Sequence, residues 1–433
     1  MELTLKSSLM RRLLAFLEVV IVAGLVVWIS KTYFASRSGR RLNARDLQTA
    51  ARLDPTNSDY RLMLGRLAQY NVTDMNPDLA MESLHRAAEL NPRDPQPWLE
   101  LAAAFGFQGK NDEAEACLRR ADFLAPNLPS VQWVIGNFFL LRGDNDEAFR
   151  HFRVVLSGSS QYNQILFKIA WKATDDGQKI LEELIPDRVA TEIEYLYFLL
   201  SQKRFAEARS VWKRVVAHGE GLAAGQVAGY MDQLIAAHLP AEAHEVWDDL
   251  KSRGQIKPNY GPTARNLIVN GDFEEDLLNL GFDWRIVPVE GLFAGLDGSN
   301  FHSPSRAVHI RFSGKENVNY YHVYQYVSVE PGHAYRLTGF LKTEGITTDS
   351  GPRLAVRDAY DPSALQRFSE SITGSTVGWT QVILDFTAGP NTTLLVVTVA
   401  RPPSTKIDSR IGGKVWVDDL ALVAIPKEEA RPR

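Results

Sequence analysis

The chain has 433 residues, with 48 Lys and Arg against 52 Asp and Glu, a formal net charge of −4 and a hydrophobic content of 45%. This length is enough for two or three domains. The near-neutral charge argues against a protein that binds nucleic acid by general attraction to the phosphate backbone, because such proteins are usually basic. The single cysteine, Cys117, excludes an intrachain disulfide and a zinc site made of several cysteines.

The first part of the chain, residues 1–45, contains an apolar segment, LLAFLEVVIVAGLVVWI, at residues 13–29. This segment is at the short end for a membrane-spanning helix, and Trp28 lies at its edge, where aromatic rings favour the membrane interface. A cleaved signal peptide and a buried or interfacial helix are the alternatives, but no clear A-x-A cleavage site follows. We expect an uncleaved single-pass anchor, with a basic juxtamembrane segment after it.

Residues 46–255 form a predicted repeat array. Ala80, Ala114 and Ala148 follow one another at one constant spacing, and Ala208 and Ala243 are separated by nearly the same interval. A degenerate, shorter unit fills the interval between Ala148 and Ala208. Alanine lets two helices approach closely, and prolines in linkers such as LNPRDPQP end helices. The pattern predicts pairs of helices and resembles the tetratricopeptide repeat (TPR), which implies a solenoid that binds a protein partner.

Repeat arrays of this kind present a groove lined by the first helix of each pair. The groove candidates here are Gln96, Glu100, Ser130 and Asn137. Chaperone-binding members of the TPR family use a Lys, Arg and Asn clamp for a C-terminal carboxylate. Only Asn137 falls at such a position, so we do not expect that class of partner. The Trp and Phe stripe of the repeat pattern is assigned to the core.

Helical periodicity ends at a predicted linker, residues 256–261. Period-two runs follow and predict strands at residues 321–329, 335–342, 353–357, 380–386, 393–400 and 414–423. Segments such as EPGH and TAGPN supply turns between them. The pattern predicts an antiparallel sandwich over residues 262–425, followed by a tail at 426–433.

Four phrases of the sandwich give a more specific resemblance. NLIVNGDFEE, YQYVSVEPGHAYRLTGFLKT, GWTQVILDFTA and KVWVDDLALV are similar to segments of carbohydrate-binding modules of the galactose-binding-like jelly-roll type. The resemblance implies a jelly roll that binds polysaccharide, although many such domains have lost or changed their ligand. It also implies one structural calcium ion, held by oxygens of Glu274, Asp418 and Asp419. The alternative is that Asp418 and Asp419 are ordinary acids at the end of a strand and that Glu274 pairs with a cation.

The first of the six predicted strands offers a carbohydrate platform. Val323, Gln325 and Val327 face one way, and alternate residues face the other, where tyrosine rings can stack on sugars. The carbohydrate-binding candidates are His322, Tyr324, Tyr326, Tyr320 and Tyr321. Packing against the repeats, or plain filling of the strand, is the alternative for each tyrosine.

Catalytic motifs of the common enzyme classes are missing from the sequence: G-x-S-x-G, G-x-x-x-x-G-K-[ST], G-x-G-x-x-G and H-E-x-x-H do not occur. The repeats and the sandwich leave only the N-terminal segment, the linker and the tail, which together are too short for a separate catalytic domain. We therefore expect no catalytic residues, and no cofactor beyond the calcium ion.

The order of anchor, repeats and sandwich resembles bacterial membrane-anchored TPR proteins associated with exopolysaccharide or O-antigen assembly and export. It predicts a non-enzymatic adaptor whose repeats bind a protein and whose sandwich binds polysaccharide, without nucleic acid. We expect an inner-membrane location with the chain start in the cytoplasm and the soluble domains extracytoplasmic. The charge flanks favour the reverse, since three cations precede the apolar segment and five follow it. A cytoplasm-facing protein scaffold and a divergent glycan-active enzyme remain alternatives.

Overall fold

The computed structural model describes residues 8–41, 43–71, 75–218 and 222–426. Within them, fourteen α-helices are followed by two antiparallel sheets, which confirms the predicted fold class of an α-helical array and an all-β sandwich. The first seven residues, and residues 427–433 of the predicted tail, lie outside the described residues.

The apolar N-terminal segment belongs to one long helix, α1 (Ser8–Gly39). Its stretch Arg12–Gly39 is long and apolar enough to cross a membrane, with a mean hydropathy of 2.6 and no burial in its most apolar part. A signal sequence satisfies the same criteria, so length and composition alone do not distinguish it from a membrane anchor. The last turns of α1 pack on the next helices: Ala35 is buried, and Gly39 lies directly against the ring of Tyr60.

Thirteen further helices follow in the described residues. They are α2 (Ala44–Leu53), α3 (Ser58–Tyr70), α4 (Pro77–Leu90), α5 (Pro95–Phe107), α6 (Asn111–Leu124), α7 (Pro129–Leu141), α8 (Asn145–Gly158), α9 (Asn163–Ala173), α10 (Gly177–Lys179), α11 (Val189–Ser201), α12 (Phe205–Ala217), α13 (Ala224–Ala236) and α14 (Pro240–Ser252). Helix α10 runs into a π-helical turn at Ile180–Leu184, and both lie in the interval between Ala148 and Ala208 where a shortened unit is predicted.

Side-chain caps and close contacts explain why the repeats fold as helix pairs. The carboxylate of Asp94 accepts the backbone N–H of Gln96 at the start of α5, where a proline occupies the first turn. Within a pair, Gly136 of α7 lies against the ring of Phe152 in α8, and an added Cβ would be 2.5 Å from that ring. Small residues at the helix contacts therefore set the spacing of the pairs, as the sequence predicts.

Ten strands form the sandwich in the described residues. They are β1 (Arg285–Ile286), β2 (Leu292–Asp297), β3 (Ala307–Ser313), β4 (Tyr320–Ser328), β5 (Ala334–Glu344), β6 (Arg353–Asp358), β7 (Gln366–Phe368), β8 (Thr380–Thr387), β9 (Leu394–Arg401) and β10 (Gly412–Ala424). The front sheet has the order β1-β4-β9-β6-β7 and the back sheet β2-β3-β10-β5-β8. Residues such as Val323, Leu354 and Val397 of the front sheet, and Leu337 and Val415 of the back sheet, fill the core between them.

The chain divides into two compact units, with the boundary between Phe198 and Leu199, within α11. The second unit therefore contains α12, α13 and α14 together with the sandwich. Residues 256–261, predicted as a linker, are packed inside this unit: Trp247 Nε1 donates to the carbonyl of Tyr260 at 2.9 Å, and the Tyr260 hydroxyl donates to the carbonyl of Asp276 at 2.6 Å. The last helix ends at Ser252 and the first strand begins at Arg285, and both belong to one compact body.

Candidate functional site

The outward side of β4 carries a pair of tyrosines. Tyr324 and Tyr326 are half-buried, whereas Val323, Gln325 and Val327 between and beside them are buried on the opposite side of the strand. The two rings meet edge to face, with centroids 5.6 Å apart. The alternation predicted for this strand is thus present, and it turns both rings away from the sandwich core.

A register shift in β4 separates the other three carbohydrate-binding candidates. Tyr320 is 1% exposed and packs edge to face on Phe312 in the core, so its predicted place on a surface platform is wrong. The shift between Tyr320 and Val323 breaks the strict alternation, which is why period two misplaces this ring. Tyr321 and His322 remain half-buried at the end of the strand.

Neighbouring strands add residues to the same side of the front sheet. In the register, Arg285 of β1 lies opposite Tyr324, and Tyr324 lies opposite Thr398 of β9. One row further, Tyr326 lies opposite Val396, and Val396 lies opposite Arg357 of β6. We call this side the outer face, made of Arg285, Tyr324, Tyr326, Val396, Thr398, Arg353 and Arg357. Its arginines were not among the candidates named from the sequence.

Helix α13 reaches one edge of the outer face. Asp232 of α13 forms an ion pair with Arg285 at 2.5 Å, and the Arg285 guanidinium lies 5.4 Å from the centre of the Tyr326 ring. Burial works to lower the pKa of Arg285, but the ion pair with Asp232 outweighs it and holds that pKa above its ordinary value. Burial, with Tyr324 as a smaller contributor, raises the pKa of Tyr326. Tyr326 is therefore held in place by its neighbours.

Helix α14 packs beside Tyr326 and encloses a small cavity of about 220 Å³. His244 lies in its wall, stacked on Phe282 at 3.6 Å between ring centroids and hydrogen-bonded to Ser328 of β4 at 2.7 Å. Burial lowers the pKa of His244 to about 4, with Asp248 raising it and Lys251 lowering it by smaller amounts. The imidazole is thus neutral at pH 7 and serves as a packing and hydrogen-bonding group in this contact.

The three predicted calcium ligands converge on a single loop, residues 302–306. Asp418 is fully buried and accepts the backbone N–H groups of His302 at 2.8 Å and Ser303 at 3.0 Å. The carboxylate of Asp419 contacts His302 Nδ1 at 2.5 Å. Glu274 accepts the hydroxyl of Ser305 and, at 3.1 Å, the N–H of Arg306.

Calcium needs oxygen ligands around it. Here the loop turns N–H and O–H donors toward the three carboxylates, and burial raises the pKa of Asp418 although three backbone N–H bonds oppose that rise. The donor set as folded therefore does not fit an ion unless the loop rearranges. The calcium site stays a prediction, which a melting temperature measured with chelator and with added calcium tests.

Two of the groove candidates in the repeats are engaged with the preceding repeat. Arg66 of α3 donates Nε to Glu100 at 2.7 Å and Nη2 to Gln96 at 2.9 Å, and the Tyr70 hydroxyl donates to Glu100 at 3.2 Å. Asn137 donates to the carbonyl of its own helix at Trp133. Ser130 is exposed in the first turn of α7. These side chains lie on the first helices of their pairs. Gln96 and Glu100 connect adjacent repeats through their contacts with Arg66.

Neither a protein-family model nor a curated protein matches the sequence. Among solved structures, a thermophilic TPR protein from Thermus thermophilus aligns with 30% of this chain and 70% of its own length, at 20% identity and a TM-score of 0.27. A structure described as CBM4 aligns with 36% of this chain and 99% of its own, at 14% identity and a TM-score of 0.27. The enzymatically active domain of tailspike protein 4 from bacteriophage CBA120 aligns with 37% of this chain and 21% of its own, at 17% identity and a TM-score of 0.25. At scores this low, the function proposed below rests on geometry.

Proposed function

We propose that this protein is a membrane-anchored adaptor whose sandwich binds polysaccharide on the outer face and whose repeats bind a protein partner. Helix α1 would hold it in an inner membrane, with the repeats and the sandwich on the extracytoplasmic side. A setting that fits this arrangement is the assembly or export of exopolysaccharide or O-antigen.

The observation that carries the sugar half of the proposal is the tyrosine pair on β4. Two half-buried rings on the outward side of a sheet give a firm apolar surface with hydroxyl groups at its edge. The apolar faces of sugars suit such rings, and the remaining sugar hydroxyls find partners in the arginines of the outer face. Because Arg285 and Asp232 already hold Tyr326 in position, this ring loses little conformational entropy when a sugar binds.

The adaptor proposal assigns recognition, and not catalysis, to the outer face. Glycoside hydrolysis commonly needs two carboxyl groups flanking the scissile bond. The outward positions of β4, β9 and β6 carry none, and Asp232, which reaches the face from α13, is paired with Arg285. Release of reducing ends from a bound polysaccharide by the wild-type protein would contradict this part of the proposal.

The test of sugar binding uses the full chain in detergent micelles, because α13 and α14 pack on the sandwich and belong to the same unit. We expect binding to at least one polysaccharide on a glycan array and a loss of about tenfold or more for Tyr324→Ala. Phe293→Ala is the matched control, since Phe293 is an aromatic residue of the back sheet that is 48% exposed. Uniformly negative arrays with folded protein would overturn the sugar half.

The distribution of Lys and Arg on the two sides of the apolar segment favours a second candidate, a scaffold that faces the cytoplasm and binds only proteins. A C-terminal reporter fusion separates the two, because alkaline phosphatase is active only outside the cytoplasm and a fluorescent protein folds well only inside. An active phosphatase fusion supports the adaptor, and an inactive one with a fluorescent counterpart supports the scaffold.

A further inference from the structure

Two arginines of the outer face lack an ion-pair partner among the described residues. Arg353 and Arg357 both belong to β6 and lie four residues apart, so their side chains point to the same side of the sheet, about 13 Å apart. Arg353 reaches neutral acceptors at long distances, 3.4 Å to the Gly351 carbonyl and 3.3 Å to Ser350 Oγ. Arg357 makes one similar contact, 3.5 Å to the carbonyl of Asp358.

Three other arginines of the sandwich are engaged with close acceptors. Arg285 is paired with Asp232, and Arg336 forms a two-pronged pair with Asp385 at 2.7 and 2.8 Å. Arg401 is completely buried and donates to Asn317 Oδ1 at 2.7 Å and to backbone carbonyls around it. Arg353 and Arg357 thus differ from these arginines in keeping most of their donors available.

The nearby carboxylates do not neutralise this pair. Asp349 accepts the hydroxyl of Ser404 at 2.6 Å and lies 3.3 Å from the ammonium group of Lys406. Burial lowers the pKa of Arg353, although Tyr321 and Asp349 raise it by smaller amounts. A half-buried guanidinium without a strong acceptor is an unfavourable arrangement, and an anion placed against it would relieve that cost.

The register sets these arginines beside the tyrosines. Strand β9 lies between β4 and β6, and its outward residues Val396, Thr398 and Ala400 are at most 2% exposed. With strands about 4.8 Å apart, Tyr326 and Arg357 are separated by about 10 Å across the sheet. We call the strip over β9 the trough: the tyrosines of β4 lie on one side of it and the arginines of β6 on the other.

We propose that the trough binds an acidic polysaccharide, with sugar rings on Tyr324 and Tyr326 and the anionic groups of the same polymer on Arg353 and Arg357. This inference rests on the proposed function and narrows its ligand to glycans that carry carboxylate or sulfate groups. The guanidinium group can donate two parallel hydrogen bonds to a carboxylate or a sulfate. The outward positions of β4, β9 and β6 hold no carboxylate that would repel such an anion. Two cations along the strand direction can each meet a different group of one chain.

The test measures binding of the full chain in detergent micelles to four polymers by isothermal titration calorimetry. They are polygalacturonate, its fully methyl-esterified form, dextran sulfate and unmodified dextran. We expect at least one anionic polymer to bind about tenfold or more tightly than its neutral counterpart, and this preference to weaken with salt. Arg353→Gln and Arg357→Gln should each lower affinity for that polymer about tenfold or more. Arg311→Gln, an equal change of charge at an exposed position of β3, should leave it unaltered.

The outcomes separate the inference from the proposed function. Preference for polygalacturonate identifies a carboxylate as the bound group, and preference for dextran sulfate identifies a sulfate; both support the inference. Equal binding of charged and neutral polymers that still depends on Tyr324 overturns it and leaves the proposed function standing. Unchanged affinity in the β6 variants, or the same loss in Arg311→Gln, also overturns it. Absence of binding to every polysaccharide on the glycan array overturns the proposed function itself.

Discussion

Two helix pairs with the same sequence pattern, α5–α6 and α13–α14, have different surroundings. Leu118 of α6 and Trp247 of α14 occupy matching positions four residues after the repeat alanine, and both are 1% exposed. Around α5–α6, however, Phe107 and Phe123 are 77% and 75% exposed, whereas α14 places Trp247 and His244 against Phe282. The repeat pattern determines that a helix pair forms. The residues on the surface of that pair decide whether it is exposed to solvent or packs against a sheet.

The contact at Gly281 gives the largest expected effect. Gly281 has a φ of +55°, and a Cβ there would lie 2.5 Å from the Trp247 ring. Gly281→Ala should therefore lower the free energy of unfolding of the second unit by about 2–5 kcal/mol, from left-handed backbone strain together with overpacking. Chemical denaturation followed by tryptophan fluorescence measures the loss.

Gly332→Ala separates these two causes. Gly332 also has a positive φ, +71°, but nothing lies within 4 Å of an added Cβ. This variant should lose only about 1–2 kcal/mol, the cost of the backbone conformation. Equal losses in both variants would mean that α14 does not press on Gly281 in solution.

The contact at His244 should make the second unit sensitive to acid. The folded pKa is about 4, below the ordinary value of about 6.5, so the unfolded chain takes up the proton first. The neutral His244 imidazole therefore contributes fully to the free energy of unfolding above about pH 6.5. This contribution is lost as the pH falls toward 4, by up to about 3 kcal/mol. Thermal unfolding of wild type and His244→Phe between pH 7.5 and 4.5 checks it. The phenylalanine keeps the stack on Phe282 without a proton to gain, so parallel curves for the two proteins would contradict the prediction.

Substitutions in the exposed repeats should have the smallest effect on the free energy of unfolding. Glu100→Gln removes the ion pair with Arg66, whose side chains are 15% and 40% exposed, and should cost under about 1 kcal/mol. Glu89→Gln is the control: its pair with Arg86 is 64% and 50% exposed and should cost close to nothing. Urea denaturation followed by circular dichroism measures both. A loss well beyond this range for Glu100→Gln would show that the contact is central to the array.

Much of the fold could be predicted from local patterns. The strand predicted at 353–357 is Arg353–Asp358, and the one predicted at 380–386 is Thr380–Thr387, because alternation and flanking turns mark both ends. The outward placement of Tyr324 and Tyr326 followed from the same alternation. Tyr320 was misplaced because a nearby register shift changes which side a residue faces, and period two carries no sign of it.

The sequence by itself determined the identity of the elements: an apolar helix, a repeating pattern of helix pairs and a set of alternating strands. The tertiary structure decided which elements are neighbours. It placed Arg353 and Arg357 two strands from the tyrosines, and it brought Asp232 and His244 to the sandwich. The physical reason is that periodicity records which side of an element is buried, whereas the partner that buries it comes from distant parts of the chain.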